Sequence, residues 1–246
     1  MVLTGIETAS YGKDLGNVTL ADLLEQIDRI PQIGRVRLGS LDPSLIRPDF
    51  AERIAALPSL APHFHLSLQS GSSRILALMK RKYNAEQAMR AITLLREAMP
   101  RVKFTTDVIV GFPGETEEDF LETVEFVKNA GFLMVHIFPY SKRKGTPAAT
   151  MANQVPEDIK RRRLHELEQV VARIRRQILE EEIRQNPLTE VLFETYENGL
   201  AYGHTADFLE VAIPAAAPLH AQTVQVRLTH TDGNLCFGEA VDPLSL

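Results

Sequence analysis

Cysteine is almost absent from this chain: Cys236 is the only one among 246 residues. A lone thiol excludes an internal disulfide framework, so Cys236 reads as a reduced strand residue of a cytoplasmic protein. There is also no run of about twenty apolar residues of the length that crosses a bilayer, and no charged-then-apolar leader precedes Thr4. The seven histidines show no metal-ligand spacing, so His63 and His65 read as structural. No paired-carboxylate or nucleophile constellation is visible that would favour an unrelated TIM-type enzyme. Positive charge is short as well, with 27 Lys and Arg against 32 Asp and Glu and a net charge of −5. Arg227 is the only Lys or Arg after Arg184. That balance opposes non-specific nucleic-acid binding, and any such partner must meet local basic patches.

What is present is enough apolar residue, 44%, to bury a core and form two domains. The clearest local pattern is the run Phe104-Thr-Thr-Asp-Val-Ile-Val-Gly-Phe-Pro-Gly-Glu115. Val108, Ile109 and Val110 form the short continuous apolar stretch of a strand covered on both faces, and residues 111–114 then turn the backbone. Thr116 stands in N-cap position with Asp119 three residues on. Phe120, Val124 and Val127 follow at helical spacing until Gly131. Glycines and free amides at such a strand-to-helix junction suit a small polar ligand.

The unit repeats. Apolar strands are expected to begin near Val2, Arg35, Phe64, Lys103 and Leu133, with helices over residues 20–30, 49–57, 84–99 and 116–130. Strand–helix alternation at roughly thirty residues per unit predicts a parallel sheet, open or curled toward a barrel, with active residues at the strand carboxyl ends. Those ends carry the polar signals: Thr4, Gly5 and Glu7; Ser40 and Asp42; residues 69–73 beginning at Gln69; Asp107 with residues 111–115; and His136, Phe138 and Tyr140. Five in order point to one mouth. Asp107 reads either as a strand-capping or lysine-paired carboxylate or as a ligand contact. Gln69, an amide directed into a barrel, needs partners.

Residues 65–73 (His-Leu-Ser-Leu-Gln-Ser-Gly-Ser-Ser), 78–83 (Leu-Met-Lys-Arg-Lys-Tyr), 106–120, 138–141 (Phe-Pro-Tyr-Ser) and 145–148 (Gly-Thr-Pro-Ala) together resemble the radical S-adenosylmethionine methylthiotransferases. Residues 3–6 and 10–15 are most similar to the branch that methylthiolates threonylcarbamoyladenosine at position 37 of tRNA. The resemblance implies a partial radical-SAM (β/α) barrel of parallel strands over residues 1–150, a linking helix over 151–186, and a small antiparallel β-barrel like the TRAM domain over 187–246. It implies S-adenosyl-L-methionine as cofactor, cleaved at a [4Fe-4S] cluster to a 5′-deoxyadenosyl radical, with the tRNA anticodon arm as partner. By resemblance Thr4, Gly5 and Glu7 hold the methionine amino group. Ser40 and Gln69 lie near the ribose and carboxylate, Asp107 lies in the same mouth, Ile109, Gly111 and Glu115 are on the adenine side, and Phe138 and Tyr140 border the adenine. The family's cluster cysteines have no counterpart here, and one distant cysteine cannot replace three clustered ones. The chain is therefore expected to be part of an enzyme, inactive by itself. The alternatives are a cluster-free RNA-binding or scaffold protein, or another branch acting on isopentenyladenosine tRNA or a ribosomal protein. A sheet lacking its first strand is expected to self-associate.

After Gly145 the pattern changes. Pro156 opens a long helix with Leu164, Leu167, Val171, Ile174 and Ile178 on one face and Lys160, Arg161, Arg162, Arg163, Arg173, Arg175 and Arg176 on the other. Part of that basic face reads as solvated and paired with nearby glutamates. The rest, Arg161 and Arg162 with Lys142, Arg143 and Lys144, suits phosphate. From Leu188 onward short strands are separated by turns with Gly, Asn, Asp or Pro, as a small barrel requires. RNA contact there would depend on Tyr202 and Phe208, which read equally well as core.

Overall fold

The computed structural model describes residues 1–5, 8–16 and 18–241, and the chain divides into two compact units, Met1–Val171 and Ala172–Leu246. The first unit is built on parallel strands. β1 (Val2–Leu3) pairs with β2 (Arg37–Leu38), and β3 (Ser40–Leu41) lies against β4 (His63–Gln69), then β5 (Lys103–Val110) and β6 (Met134–Pro139). A single residue, Gly39, separates β2 from β3, and its amide donates to Leu3 O at 2.7 Å. The strand expected from Arg35 is thus one path interrupted at the point where it changes partner.

The helices start where side-chain caps allow. Thr19, Asn84 and Thr116 each accept from the amide three residues on while Asp22, Gln87 and Asp119 reach back to the cap amide, opening α1 (Leu20–Asp28), α4 (Ala85–Ala98) and α5 (Glu117–Ala130). α2 (Pro48–Ala55) begins with proline at its first position. Gly131 closes α5 in the left-handed region, φ 58°. Two short helices, α3 (Ser73–Leu78) and α6 (Pro147–Thr150), were not apparent in the periodicity.

Alternation along the strands sorts the two faces of the sheet. Phe64, Leu66 and Leu68 of β4 and Phe104, Val108 and Val110 of β5 are buried in the core. The Arg96 guanidinium of α4 lies 5.4 Å from the centre of the Phe104 ring. The residues between them, His65, Ser67 and Gln69, then Asp107 and Ile109, are only half-buried, and His136 and Phe138 of β6 are exposed. That second face is polar and open, and its carboxyl end forms the mouth.

The last helix, α7 (Glu157–Gln185), contributes residues to both units. Within it the buried positions are Lys160, Arg163, Leu167, Val170, Leu179 and Glu182. The buried stripe is thus turned from the expected 164–167–171–174–178 face, and two cations assigned to the solvated side are interior. The second unit holds a closed barrel of β7 (Leu188–Glu197), β8 (Leu200–Thr205), β9 (Glu210–Pro214), β10 (Thr223–Thr231) and β11 (Cys236–Ala240) in the order β10–β11–β9–β8–β7. It is not wholly antiparallel: β11 runs parallel to β9, Cys236 opposite Val211. The barrel closes through that one parallel pair because β10 crosses over to pair with β7 before β11 returns.

Candidate functional site

At the carboxyl ends of β4, β5 and β6 a cavity of about 520 Å³ is lined by Gln69, Asp107, Ile109, Phe138 and Tyr140, with Phe112 and Arg143. The register explains the grouping. Asp107 sits opposite His136 and Ile109 opposite Phe138, so same-face residues of neighbouring strands converge. Gln69 ends β4 with φ 73°, where the β4–β5 pairing shifts register. A non-glycine residue in that region is strained, and such strain is sustained only where the surroundings over-determine it. Here Ser70, Gly71 and Ser72 are pinned behind it. Thr123 Oγ1 accepts from the Gly71 amide at 3.1 Å, and Ser72 Oγ donates to Asp119 Oδ1 at 2.8 Å. A Cβ at Gly71 would stand 2.5 Å from Phe126 Cβ.

Asp119 is the hub of that support. Its carboxylate accepts from the Thr116 amide at 2.8 Å and Arg74 Nε at 3.0 Å, and pairs again with Arg74 Nη2, which also donates to Gly114 O at 2.6 Å. Burial by itself would raise the Asp119 carboxyl. The bonds from Arg74, Thr116 and Ser72 outweigh burial and hold it well below the usual carboxylate range.

Gly111 and Glu115 stand behind the mouth. Glu115 Oε2 accepts from the Gly111 amide at 2.7 Å and from Arg163 Nη1 at 2.6 Å, and both side chains of that ion pair are buried. Burial pushes the Glu115 carboxyl up, while the Gly111 amide and Arg163 pull it back. Gly111, at φ 73°, leaves no room for a side chain: a Cβ would meet Lys160 Cγ at 2.4 Å. The Lys160 ammonium donates to Tyr140 O at 2.9 Å and Glu157 Oε1 at 2.7 Å. The start of α7 thereby locks both the Gly111 turn and the end of β6. Periodicity could not reveal this, since Lys160 and Arg163 look like any basic helix face.

Asp107 lies 3.4 Å from His65 Nε2, neither a strand cap nor a lysine partner. Thr105 Oγ1 sits 3.0 Å from His65 Nδ1 and 3.1 Å from His63 Nε2, a structural use of both histidines. Thr4, Gly5 and Ser40 are exposed at adjacent strand ends, where a Cβ on Gly39 would approach Thr4 Oγ1 at 3.4 Å, and they do not line the 520 Å³ cavity. Glu7 lies outside the described residues. Phe112, from the 111–114 turn, and Thr146, from the 145–148 motif, also line the cavity. Of the basic candidates, Arg143 reaches the cavity while Lys142, Lys144 and Arg161 are exposed. Arg162 is held by Glu117 at 2.7 and 3.1 Å. In the second unit Phe208, φ 77°, stacks on His204 at 4.8 Å and 15°, and Tyr202 is half-buried.

The model of the radical SAM superfamily matches residues 6–127, and the chain belongs to that superfamily. Similar curated proteins include threonylcarbamoyladenosine tRNA methylthiotransferases and tRNA-2-methylthio-N(6)-dimethylallyladenosine synthases. The chain is 37% identical over 232 residues to the threonylcarbamoyladenosine tRNA methylthiotransferase MtaB of Bacillus subtilis, covering 93% of this chain and 51% of that protein. It is 35% identical over 246 residues to the tRNA-2-methylthio-N(6)-dimethylallyladenosine synthase of Lachnoclostridium phytofermentans, covering 98% of this chain and 54% of that protein. The chain thus spans about half the length of the curated relatives it matches. In fold it is similar to the archaeal Elp3 of Methanocaldococcus infernus, with a TM-score of 0.51 at 12% identity over 94% of this chain and 69% of that one.

The two groups this superfamily implies fit the chain differently. The mouth offers S-adenosylmethionine an apolar wall of Ile109, Phe112 and Phe138 with polar Gln69 and Asp107. The buried Tyr140 hydroxyl has no hydrogen-bond partner among the described residues. An iron–sulfur cluster does not fit. Among the described residues no group of three or more His, Cys, Asp or Glu could hold a metal. Cys236 is fully buried in the second unit, its thiol pushed up to about 12 by burial.

Proposed function

We propose that this chain is the S-adenosylmethionine-binding and RNA-binding part of an enzyme that methylthiolates C2 of N6-threonylcarbamoyladenosine at position 37 of tRNA. The observation that carries the reading is the convergence of Gln69, Asp107, Ile109, Phe138 and Tyr140 on one cavity in a chain with methylthiotransferase relatives. When bound in the mouth, S-adenosylmethionine would supply one-electron hydrogen-abstraction chemistry. The work of this chain is to bind, orient and exclude water. Ile109 and Phe138 flank the adenine, and the Tyr140 hydroxyl and Gln69 amide take its polar partners. Asp107, positioned by His65, faces the ribose. Thr4, Gly5, Glu7 and Ser40 meet the methionine end. Gly111 and Glu115 act indirectly, holding the turn on which Ile109 depends. Lys142, Arg143, Lys144, Arg161 and the Tyr202 and Phe208 rings contact the anticodon arm in a cytoplasmic complex.

Titration calorimetry with S-adenosylmethionine tests the mouth. The chain binds it, and Gln69→Ala and Phe138→Ala each weaken binding about tenfold or more, the loss of one good polar or stacking contact. No binding by the unaltered chain would remove the reading. After anaerobic incubation with iron and sulfide the chain is expected to hold no cluster and to release no 5′-deoxyadenosine. A stoichiometric cluster would show ligands that the described residues lack. The dimethylallyladenosine branch is the second reading, because identity to the two kinds of relative is nearly equal, 37% and 35%. Competition between tRNAs carrying one or the other modified adenosine separates them.

A further inference from the structure

Outside the mouth a second cavity, about 430 Å³, opens on the helix-covered side of the sheet between the turn 43–48, the loop at Lys82 and the first half of α4. Three cations line it, Arg47, Lys82 and Arg90, together with the Ser44 and Gln87 side chains, and no carboxylate is among its lining residues. Arg47 precedes α2 without making a side-chain cap, and neither Arg47 nor Arg90 has an ion-pair partner among the described residues. The neighbouring Asp42 is occupied by the Ser44 amide at 2.8 Å and the Ser44 hydroxyl at 2.5 Å. The chain carries a net charge of −5, so the positive charge that Arg47 and Arg90 add to this cleft suits an anionic occupant.

Its position says which one. The turn at 43–45 leaves β3, and Tyr83, in the loop between α3 and α4, donates from its hydroxyl to Leu68 O at 3.0 Å near the end of β4, so both stand at the strand carboxyl ends, the rim that bears the mouth. The basic turn 80–82 contributes to both cavities. Lys80 and Arg81 line a cavity of about 510 Å³ that shares Gln69, Ile109 and Phe112 with the mouth, and Lys82 lines the outer cleft. Basic side chains therefore line both the cavity that joins the mouth and the outer cleft, an arrangement that suits a chain of phosphates rather than one small anion.

We infer that this cleft is a contact for the phosphate backbone of the RNA whose base enters the mouth, with the Lys80-Arg-Lys82 turn leading the strand to it. The inference rests on the tRNA reading above. Equilibrium binding of unmodified tRNA over a series of salt concentrations tests it with three proteins: the unaltered chain, Arg47→Gln with Arg90→Gln, and Arg47→Lys with Arg90→Lys. Both arginines are exposed, and matching thermal melts confirm that each variant folds. The glutamine variant should bind more weakly, its slope of log K against log salt smaller by roughly 1.5 to 2. The lysine variant should keep the slope. An unchanged slope in the glutamine variant overturns the cleft and leaves the tRNA reading standing. An equal loss in the lysine variant overturns it too, since the effect is then not one of charge. If the unaltered chain binds no tRNA even at low salt, the tRNA reading falls and the cleft with it.

Discussion

Arg163 reaches Glu115 Oε2 at 2.6 Å from a side chain 4% exposed, and that same oxygen accepts from the Gly111 amide at 2.7 Å. Two desolvated charges are stable only together, so removing one strands the other. Arg163→Met is expected to cost about 3 to 5 kcal/mol in urea unfolding. Adding Glu115→Gln should recover part of that loss, because the neutral amide still accepts from Gly111. Asp119 carries a pH signature. Its folded-state pKa is depressed, so its contribution is complete above the unfolded value, about 3.9, and is lost as pH falls from there toward the folded value. Unfolding of the natural chain and of Asp119→Asn, followed from about pH 5 down to pH 2, should show the steeper loss in the natural chain. Parallel profiles would mean that Arg74 and the Thr116 amide hold the carboxylate less firmly than the geometry indicates. Thr116 and Asp119 could be read from the chain as a capping box. Arg74, Ser72 and Arg163 could not, because their partners lie 45, 47 and 48 residues away.

Gly71 sets how closely the loop after β4 approaches α5. A methyl there would stand 2.5 Å from Phe126 Cβ and 2.7 Å from Thr123 Cα, with backbone on one side and a buried ring on the other. Gly71→Ala should therefore destabilise by about 1 to 3 kcal/mol, the usual range for overpacking. Gly34→Ala, with nothing within 4 Å, serves as the neutral control in the same thermal melts. Equal melting temperatures for both variants would show that α5 yields. The elements themselves were largely legible, since capping residues and apolar periodicity are local signals. β5 and α5 lie where the run from Phe104 to Gly131 places them, starting at Lys103 and ending at Ala130. The face of α7 was misread by about one residue because its stripe includes Lys160 and Arg163, charges buried only by virtue of Tyr140 and Glu115. A hydrophobic pattern cannot register a buried cation.

For the molecule entire, the open edge of the sheet is the chief liability. Val2 on β1 is 63% exposed and Met1 52%, and among the described residues the strand pairs only with β2. Exposed apolar edges pair with one another, and lysine on an edge discourages it. Sedimentation velocity at rising concentration should show self-association of the natural chain that Val2→Lys reduces. A monodisperse monomer throughout would remove the edge as a contact. The alternation of strands and helices and the switch to a strand-only second unit were determined by the sequence alone, because caps, turn glycines and apolar periods act over a few residues, and the radical SAM superfamily was legible in the resemblance carried by residues 65–73, 78–83 and 106–120. Only the tertiary structure decided which strand ends share a cavity and that Glu115 pairs with the buried Arg163. It also decided that β11 returns parallel to β9 and that Arg47, Lys82 and Arg90 face one cleft. Those outcomes depend on register, strand crossover and the pairing of desolvated charges, which bring together residues far apart along the chain.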